Sequence, residues 1–311
     1  MRSLIVRLPN HLGDACMCLP ALDLLAAHGF DLRIAGKPWA AALFAAYPWR
    51  PIAVRGNWIE RIDALRAVRV ARTGHVEGIL FTNSFGTALE FRLGGIAATG
   101  YATDARSWLL RRAVPLPARW ATDMHTVEYY YTLAASLVGT APPVTDKLAL
   151  RISSEAERRA ASMRRAASVA DGYVVLCPVA VGLHRGKVKA WSGFARLSVE
   201  LSNRGLQVVA CPGPGERDAV IRAVPAATVL PETDVGTFAA LLARSRMVVA
   251  NDSGPGHLAA AVGARLVSVF GVTDPLKTRP WGRNVRLIGG AGGWPSWEDV
   301  LACVDEALGG A

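Results

Sequence analysis

Nothing in this 311-residue chain stays apolar for the roughly 18–20 residues that a membrane-spanning helix needs. Cysteine is scarce and scattered. Cys16, Cys18, Cys177, Cys211 and Cys303 make no CxxC pair, and Cys16-x-Cys18 alone is too little for a zinc site. An odd set of five reads as buried, reduced thiols, which fits a cytoplasmic protein. No DxD pair closes a strand and no His/Cys cluster has ligand spacing, so no metal and no other cofactor is expected. The absence of GxGxxG after either leading strand disfavours a dinucleotide oxidoreductase. No helix-turn-helix, RRM or zinc pattern accompanies the positive charge, which argues against nucleic acid as a partner. Charged residues are only 19% against 51% hydrophobic, so a sizeable core is expected and disorder is not. The opening MRSLIVRLPNHLGD has one early Arg and a short apolar stretch before Pro9; it reads as a first strand, not a signal peptide.

What the chain does carry is a net charge of +10, divided equally between the residues before and after position 150, which suggests an anionic partner. Arg50, Arg55, Arg61, Arg66, Arg69 and Arg72 lie in one stretch opposed only by Glu60 and Asp63. Arg106, Arg111, Arg112 and Arg119 follow in a segment with no acid between Asp104 and Asp123. For any single Arg, a solvated helix face is the better reading.

Short β-branched runs alternate with Ala/Leu-rich helical stretches throughout. SLIVRLP, ALDLLAAHG and FDLRIAG read as strand, helix, strand, with EGILFT continuing the series. YVVLCP, LQVVACP, ATVLP, MVVAN and RLVSVFG form a second series, joined by helical runs. Apolar strands with little alternation, joined by helices, indicate a parallel sheet covered on both faces. The fold class is therefore α/β, with two Rossmann-like domains, 1–150 and 151–311, split at the Pro- and charge-rich stretch Pro142 to Arg165. A last helix near Ser296 to Leu308 follows a Gly-rich break and is a candidate to pack back on the first domain.

Ligands of open parallel sheets bind at the carboxyl ends of the strands, so the residues just after each strand matter most. After the first strand, Gly13 allows a tight turn and Asp14 sits at a helix start; spacing alone favours an N-cap over a general base. His11 is ambiguous in the same way. After YVVLCP, Arg185, Lys187 and Lys189 lie in a loop that opens a helix, which suits either a diphosphate or a basic surface loop. After MVVAN, Asn251-Asp252-Ser253-Gly254-Pro255-Gly256-His257 supplies a carboxylate, a hydroxyl, glycines and an imidazole at one helix start. A simple cap would not need His257, and this loop favours phosphate binding. Glu216, in the turn after LQVVAC, is a candidate for ribose hydroxyls.

These residues together resemble the ADP-heptose:lipopolysaccharide heptosyltransferases of glycosyltransferase family 9. The resemblance runs from Gly13-Asp14 and Leu19-Pro20-Ala21-Leu22, through Lys189-Ala190-Trp191 and the Glu216 turn, to NDSGPGH and Phe270-Gly271-Val272-Thr273-Asp274-Pro275. The N-terminal segment is closer to the second heptosyltransferase type than to the first. The resemblance implies a GT-B fold, with two parallel sheets facing across a cleft, and inverting transfer without a metal. It implies Asp14 as catalytic base and Lys189, Glu216, Asp252, Ser253, Gly254 and His257 as donor contacts, with an ADP-heptose-like sugar as co-substrate. The cationic first domain would then take an anionic glycolipid acceptor, with His11, Arg61 and Arg112 as candidates, and would touch the inner membrane face peripherally. Two departures stand out. The usual K-x-W-P reads Lys189-Ala190-Trp191-Ser192, and the loop from Val179 to Val188 is long and basic. A transferase with a different acceptor, a GT-B epimerase and a non-catalytic nucleotide-sugar-binding protein are the competing readings; the intact Asp14 and Lys189 argue against the last.

Overall fold

The structure is a computed structural model describing residues 2–71, 74–180, 183–184 (backbone only) and 186–309. Arg72 and Arg185, counted above among the basic clusters, lie outside the described residues. The chain divides into two compact units, Met1–Thr145 and Asp146–Ala311.

In the first unit, β1 (Arg2–Arg7) leads through α1 (Leu12–Met17) and α2 (Leu19–Ala27) to β2 (Phe30–Gly36). Then come α3 (Ala40–Leu43), β3 (Arg50–Ala53), α4 (Trp58–Val70) and β4 (Val76–Leu80). The unit ends with α5 (Phe85–Leu93), β5 (Ala97–Tyr101), β6 (Arg112–Val114) and α6 (Thr126–Val138). All six strands are parallel, in the order β3-β2-β1-β4-β5-β6. Central β1 buries Leu4, Ile5 and Val6 completely, as expected of a strand covered on both faces. Ile5, Leu80, Phe91, Ile96 and Leu109 form one core cluster under α5. Asn57 and Glu60 start α4 with a capping box, and His125 and Glu128 do the same for α6.

The second unit opens with α7 (Ser154–Ala166), which lies inside the stretch read as a domain separator. That reading misses a helix for a physical reason. α7 is charged on its outer face, capped by Ser153, and buries only the small Ala156 and Ala160, so it leaves almost no apolar signal. Next come β7 (Val174–Cys177), the antiparallel pair β8 (Leu183–His184) and β9 (Lys187–Val188), and α8 (Phe194–Asn203). β10 (Val208–Ala210), α9 (Arg217–Ala223), β11 (Thr228–Val229) and α10 (Val235–Ala243) continue the series. β12 (Met247–Asn251), α11 (Gly254–Ala261), β13 (Leu266–Phe270), α12 (Pro275–Thr278), β14 (Val285–Gly289) and α13 (Trp297–Leu308) complete it. The sheet is again parallel, in the order β11-β10-β7-β12-β13-β14. Val174, Leu176, Leu197, Val249 and Val267 meet Val300, Val304 and Ala307 of α13 in one core. The terminal helix, a candidate for return to the first domain, thus contributes to the core of the second.

Both sheets have the doubly wound strand order, in which the chain reverses its direction of travel across the sheet beside the first strand. The reversal opens a crevice between β1 and β4 in one unit and between β7 and β12 in the other.

Candidate functional site

The second unit builds its site at that crevice from the end of β12. Asn251 is fully buried and its amide is used twice: Nδ2 donates to Pro178 O at 2.7 Å, and Oδ1 accepts from Trp191 N–H at 2.9 Å. One neutral side chain therefore stitches both ends of the β7–α8 connection to the neighbouring strand. Trp191 is the anchor of that connection, packed at 5.6 Å from Phe194 and stacked at 6.2 Å on Trp297. Gly193 permits this, since a Cβ there would lie 2.2 Å from the Trp191 ring.

The stitch brings Lys189 Nζ to 2.8 Å from Asp252 Oδ2. The same oxygen accepts from Thr273 Oγ1 at 2.7 Å, just past the end of β13. Asp252 is buried to 8% side-chain exposure, and Lys189 keeps 24%. His257, in the first turns of α11, is buried, and its Nδ1 has no hydrogen-bond partner in the protein. Burial pulls its pKa down to about 4, against the opposing pull of the Asp252 carboxylate and with the help of the Lys189 ammonium. The imidazole is therefore neutral at physiological pH. Ser253 occupies the N-cap of α11 in extended conformation but makes no capping bond; its hydroxyl donates to Asn251 O at 3.2 Å. Gly254 begins the helix. A polar crevice with a lysine, a helix N-terminus and an unused imidazole nitrogen is suited to phosphate oxygens.

Glu216 stands at the end of β10's connection, at the N-cap position of α9, and its Oε2 accepts from Gly213 N–H at 3.0 Å. It folds back on its own turn, and a contact to ribose would use its remaining acceptor capacity.

In the first unit Asp14 is not the N-cap that its spacing suggests. His11 holds that position, exposed and without a side-chain capping bond, and Asp14 falls in the first turn of α1, half-buried. Tyr130 on α6 is buried beside Phe81 and Tyr129, and burial, with the nearby Asp14, pushes its phenol pKa up. Nearby, an open pocket of about 380 Å³ is lined by Arg7, Asn10, Lys37, Arg61, Thr87 and Glu90, among others. Arg61 binds Glu90 Oε1 through Nη2 at 2.7 Å and donates to Gly56 O at 2.8 Å. Arg7 is buried and donates through Nη2 to Asn10 Oδ1 at 2.9 Å. Its Nε lacks a partner, and burial lowers its pKa. Arg112 lies elsewhere, on β6, with Nη1 donating to Ser136 O at 2.6 Å.

Of the residues singled out in the sequence, Lys189, Asp252, Ser253, Gly254 and His257 come together. Glu216 sits two strands away from Asp252 at the same sheet edge. His11, Arg61 and Arg112 do not form one cluster. Asn251 and Thr273 were visible in the motifs but without a role. Arg7 and Lys37 gave no sequence signal. Among the described residues no group of three His, Cys, Asp or Glu side chains could hold a metal, and no helix is long and apolar enough to cross a membrane.

Two doubly wound units of this order are the GT-B fold. The chain belongs to glycosyltransferase family 9 (heptosyltransferase), whose model matches residues 74–302. It is similar to lipopolysaccharide heptosyltransferase 3 of Escherichia coli K12, with 33% identity over 155 residues, 46% of this chain. The aligned part spans 44% of that relative, less than half its length. In fold it matches the E. coli ADP-heptose lipopolysaccharide heptosyltransferase II (TM-score 0.80, 23% identity), over 99% of this chain and 98% of that one. It also matches E. coli heptosyltransferase WaaC with ADP (TM-score 0.75, 21% identity), over 99% of this chain and 100% of that one.

Proposed function

We propose that the protein transfers a heptose from ADP-heptose to an anionic lipopolysaccharide-core acceptor, inverting the anomeric centre and using no metal. The observation that carries this is the convergence of Lys189, Asp252, Thr273 and His257 at the crevice of the second sheet, beside the N-terminus of α11. In this reading the diphosphate takes Lys189 from Asp252 and draws on the amides of α11, while Asp252 and His257 are left to hydrogen-bond the sugar. WaaC has been obtained with ADP, which supports an adenine nucleotide. Glu216 would accept from the ribose.

Asp14 acts as general base. Its carboxylate takes the proton of the acceptor hydroxyl as that oxygen bonds to the anomeric carbon, and the bond to the β-phosphate oxygen breaks with its electron pair leaving on ADP. The new negative charge meets Lys189 and the helix N-terminus. Neutral His257 serves as a hydrogen-bonding group and not as a cation. The acceptor's carboxylates or phosphates are met by the pocket at Arg7, Lys37 and Arg61, and the enzyme would work in the cytoplasm, peripheral to the inner membrane. The relative with 33% identity is of the third heptosyltransferase type, while the N-terminal segment resembles the second, so the acceptor is proposed as the core oligosaccharide and not as one particular sugar of it.

Asp14→Asn tests the chemistry. The amide keeps the shape but takes no proton, and turnover is expected to fall by about 10²–10⁴ with donor affinity unchanged. A variant within a few fold of the wild-type rate would refute Asp14 as base.

A further inference from the structure

Two aromatic rings of the first unit meet each other in solvent. Trp108, in a one-turn helix (Ser107–Leu109) between β5 and β6, is 72% exposed. Phe85, the first residue of α5, is 38% exposed. Their ring centroids lie 6.0 Å apart, with the planes inclined at 55°. Single apolar residues on a surface are ordinary, whereas rings in contact make a patch that water covers poorly.

The backbone beneath this pair is held at a cost. Asp104 and Ala105 are both left-handed, with φ of 49° and 52°, a conformation that an alanine rarely adopts. Arg106 follows, fully buried, and donates to Tyr101 O at 3.0 Å and to Thr82 O and Asn83 Oδ1. Thr103 Oγ1 donates to Asn83 O at 3.4 Å. One buried guanidinium therefore ties the segment that carries Trp108 to the segment that leads into Phe85. Burying a charge and straining a backbone are both unfavourable, and they persist where the surroundings over-determine them. What they secure here is the mutual placement of two exposed rings. Phe85 also lies between Ser84 and Gly86, which line the open pocket of about 380 Å³ that holds Arg7, Lys37 and Arg61. The pair stands at the rim of that cationic pocket.

We propose that Trp108 and Phe85 form a stacking platform for one sugar ring of the acceptor, next to the sugar whose carboxylate or phosphate enters the pocket. The proposal rests on the acceptor being an anionic oligosaccharide. The C–H bonds on the flat face of a pyranose carry partial positive charge, and the face of an aromatic ring carries the opposite sign. Rings fixed before binding lose little freedom on contact, which favours affinity. Asp104, exposed in the same connection, offers a carboxylate to sugar hydroxyls. An anionic bilayer laid on this surface would meet that charge as repulsion. The patch therefore fits a saccharide better than a membrane.

Trp108→Ala tests this at little risk to the fold, because the side chain is mostly in water and the Arg106 bonds are untouched. The ligand is lipopolysaccharide-core oligosaccharide freed of its acyl chains, titrated by calorimetry into the full-length protein. The expected result is affinity weakened by about tenfold, with Trp108→Phe in between and the thermal shift given by ADP unchanged. Saturation transferred from aromatic protons should reach the C–H protons of one sugar ring in the wild type and be lost in Trp108→Ala. An oligosaccharide affinity within about twofold of wild type overturns the platform. If that affinity holds while binding to phosphatidylglycerol vesicles is lost, the pair is a membrane anchor and the platform is overturned as well. If the wild type itself does not bind the oligosaccharide, the acceptor reading fails and the platform falls with it.

Discussion

Replacing Asp252 by Asn separates the two duties that its carboxylate performs. Oδ2 receives both Lys189 Nζ at 2.8 Å and Thr273 Oγ1 at 2.7 Å. Asn keeps an acceptor for Thr273 but removes the charge that balances Lys189. Removing one partner of a fully buried pair costs about 3–5 kcal/mol, while exposed pairs contribute about 0–1. With Asp252 at 8% exposure and Lys189 at 24%, the pair lies between these limits. A loss of roughly 2 kcal/mol is expected, which lowers the melting temperature of a unit this size by about 4–8 °C. Calorimetry on Asp252→Asn, Lys189→Met and the double variant closes the cycle. The double variant should be more stable than the two single losses added together, because neither partner is then left without its opposite charge. Losses that simply add would refute the pairing. Thermal shift with ADP reads the second duty. If Lys189 is the diphosphate contact and Asp252 its resting partner, ADP stabilises Asp252→Asn at least as much as the wild type. Disappearance of the ADP shift would mean that Asp252 itself holds the nucleotide.

Prolonged treatment with EDTA, followed by desalting, should leave transfer at its starting rate; activity lost and then restored by magnesium, manganese or iron would overturn metal-independent transfer. His257 makes folding sensitive to acid: with a folded value of about 4 against about 6.5 unfolded, the unfolded chain takes up the proton first, so stability is complete above about pH 6.5 and falls by roughly 3 kcal/mol as pH drops to about 4. Urea unfolding of wild type and His257→Gln at pH 7 and 4.5 should show the wild type losing more of its stability than the variant, and parallel losses would refute a buried neutral imidazole.

The strands most legible in the sequence are those buried on both faces. β12 and β13 are fully buried, and MVVAN and LVSVF announce them without help from context. β3, β6 and β14 are harder to see: all three are edge strands, the first two at the ends of the first sheet and β14 at one end of the second, and all are partly exposed and carry arginine, β3 with Pro51 as well. β5 hides for another reason. Gly100 weakens its strand signal, yet a Cβ there would come within 3.1 Å of the buried Arg106 guanidinium. Candidate site residues follow the same division. Asp252 and His257 stand in one contiguous loop with glycine and serine, so spacing alone finds them. Arg7 becomes visible only when β1 and β2 are assembled, because charge reads as surface.

The missing proline after Trp191 shows how one local rigidity can be replaced by another. A proline at 192 would restrict its own φ and bias Trp191 toward extended conformations, limiting the unfolded chain and stabilising by about 0.4–1 kcal/mol where the native backbone is compatible. Ser192 gives no such restriction. In its place Trp191 is held through its own atoms: the amide by Asn251, the indole Nε1 by Pro295 O at 3.3 Å, and the ring by Phe194 and Trp297. The side chain is buried to 6% exposure, so its burial contributes on the order of 2–3 kcal/mol, more than the proline would. This anchor acts on the folded state alone and is tied to the C-terminal segment through Pro295 and Trp297. The position of Lys189 over Asp252 therefore depends on α13 being folded, which makes the last helix of the chain part of what holds the diphosphate lysine in place.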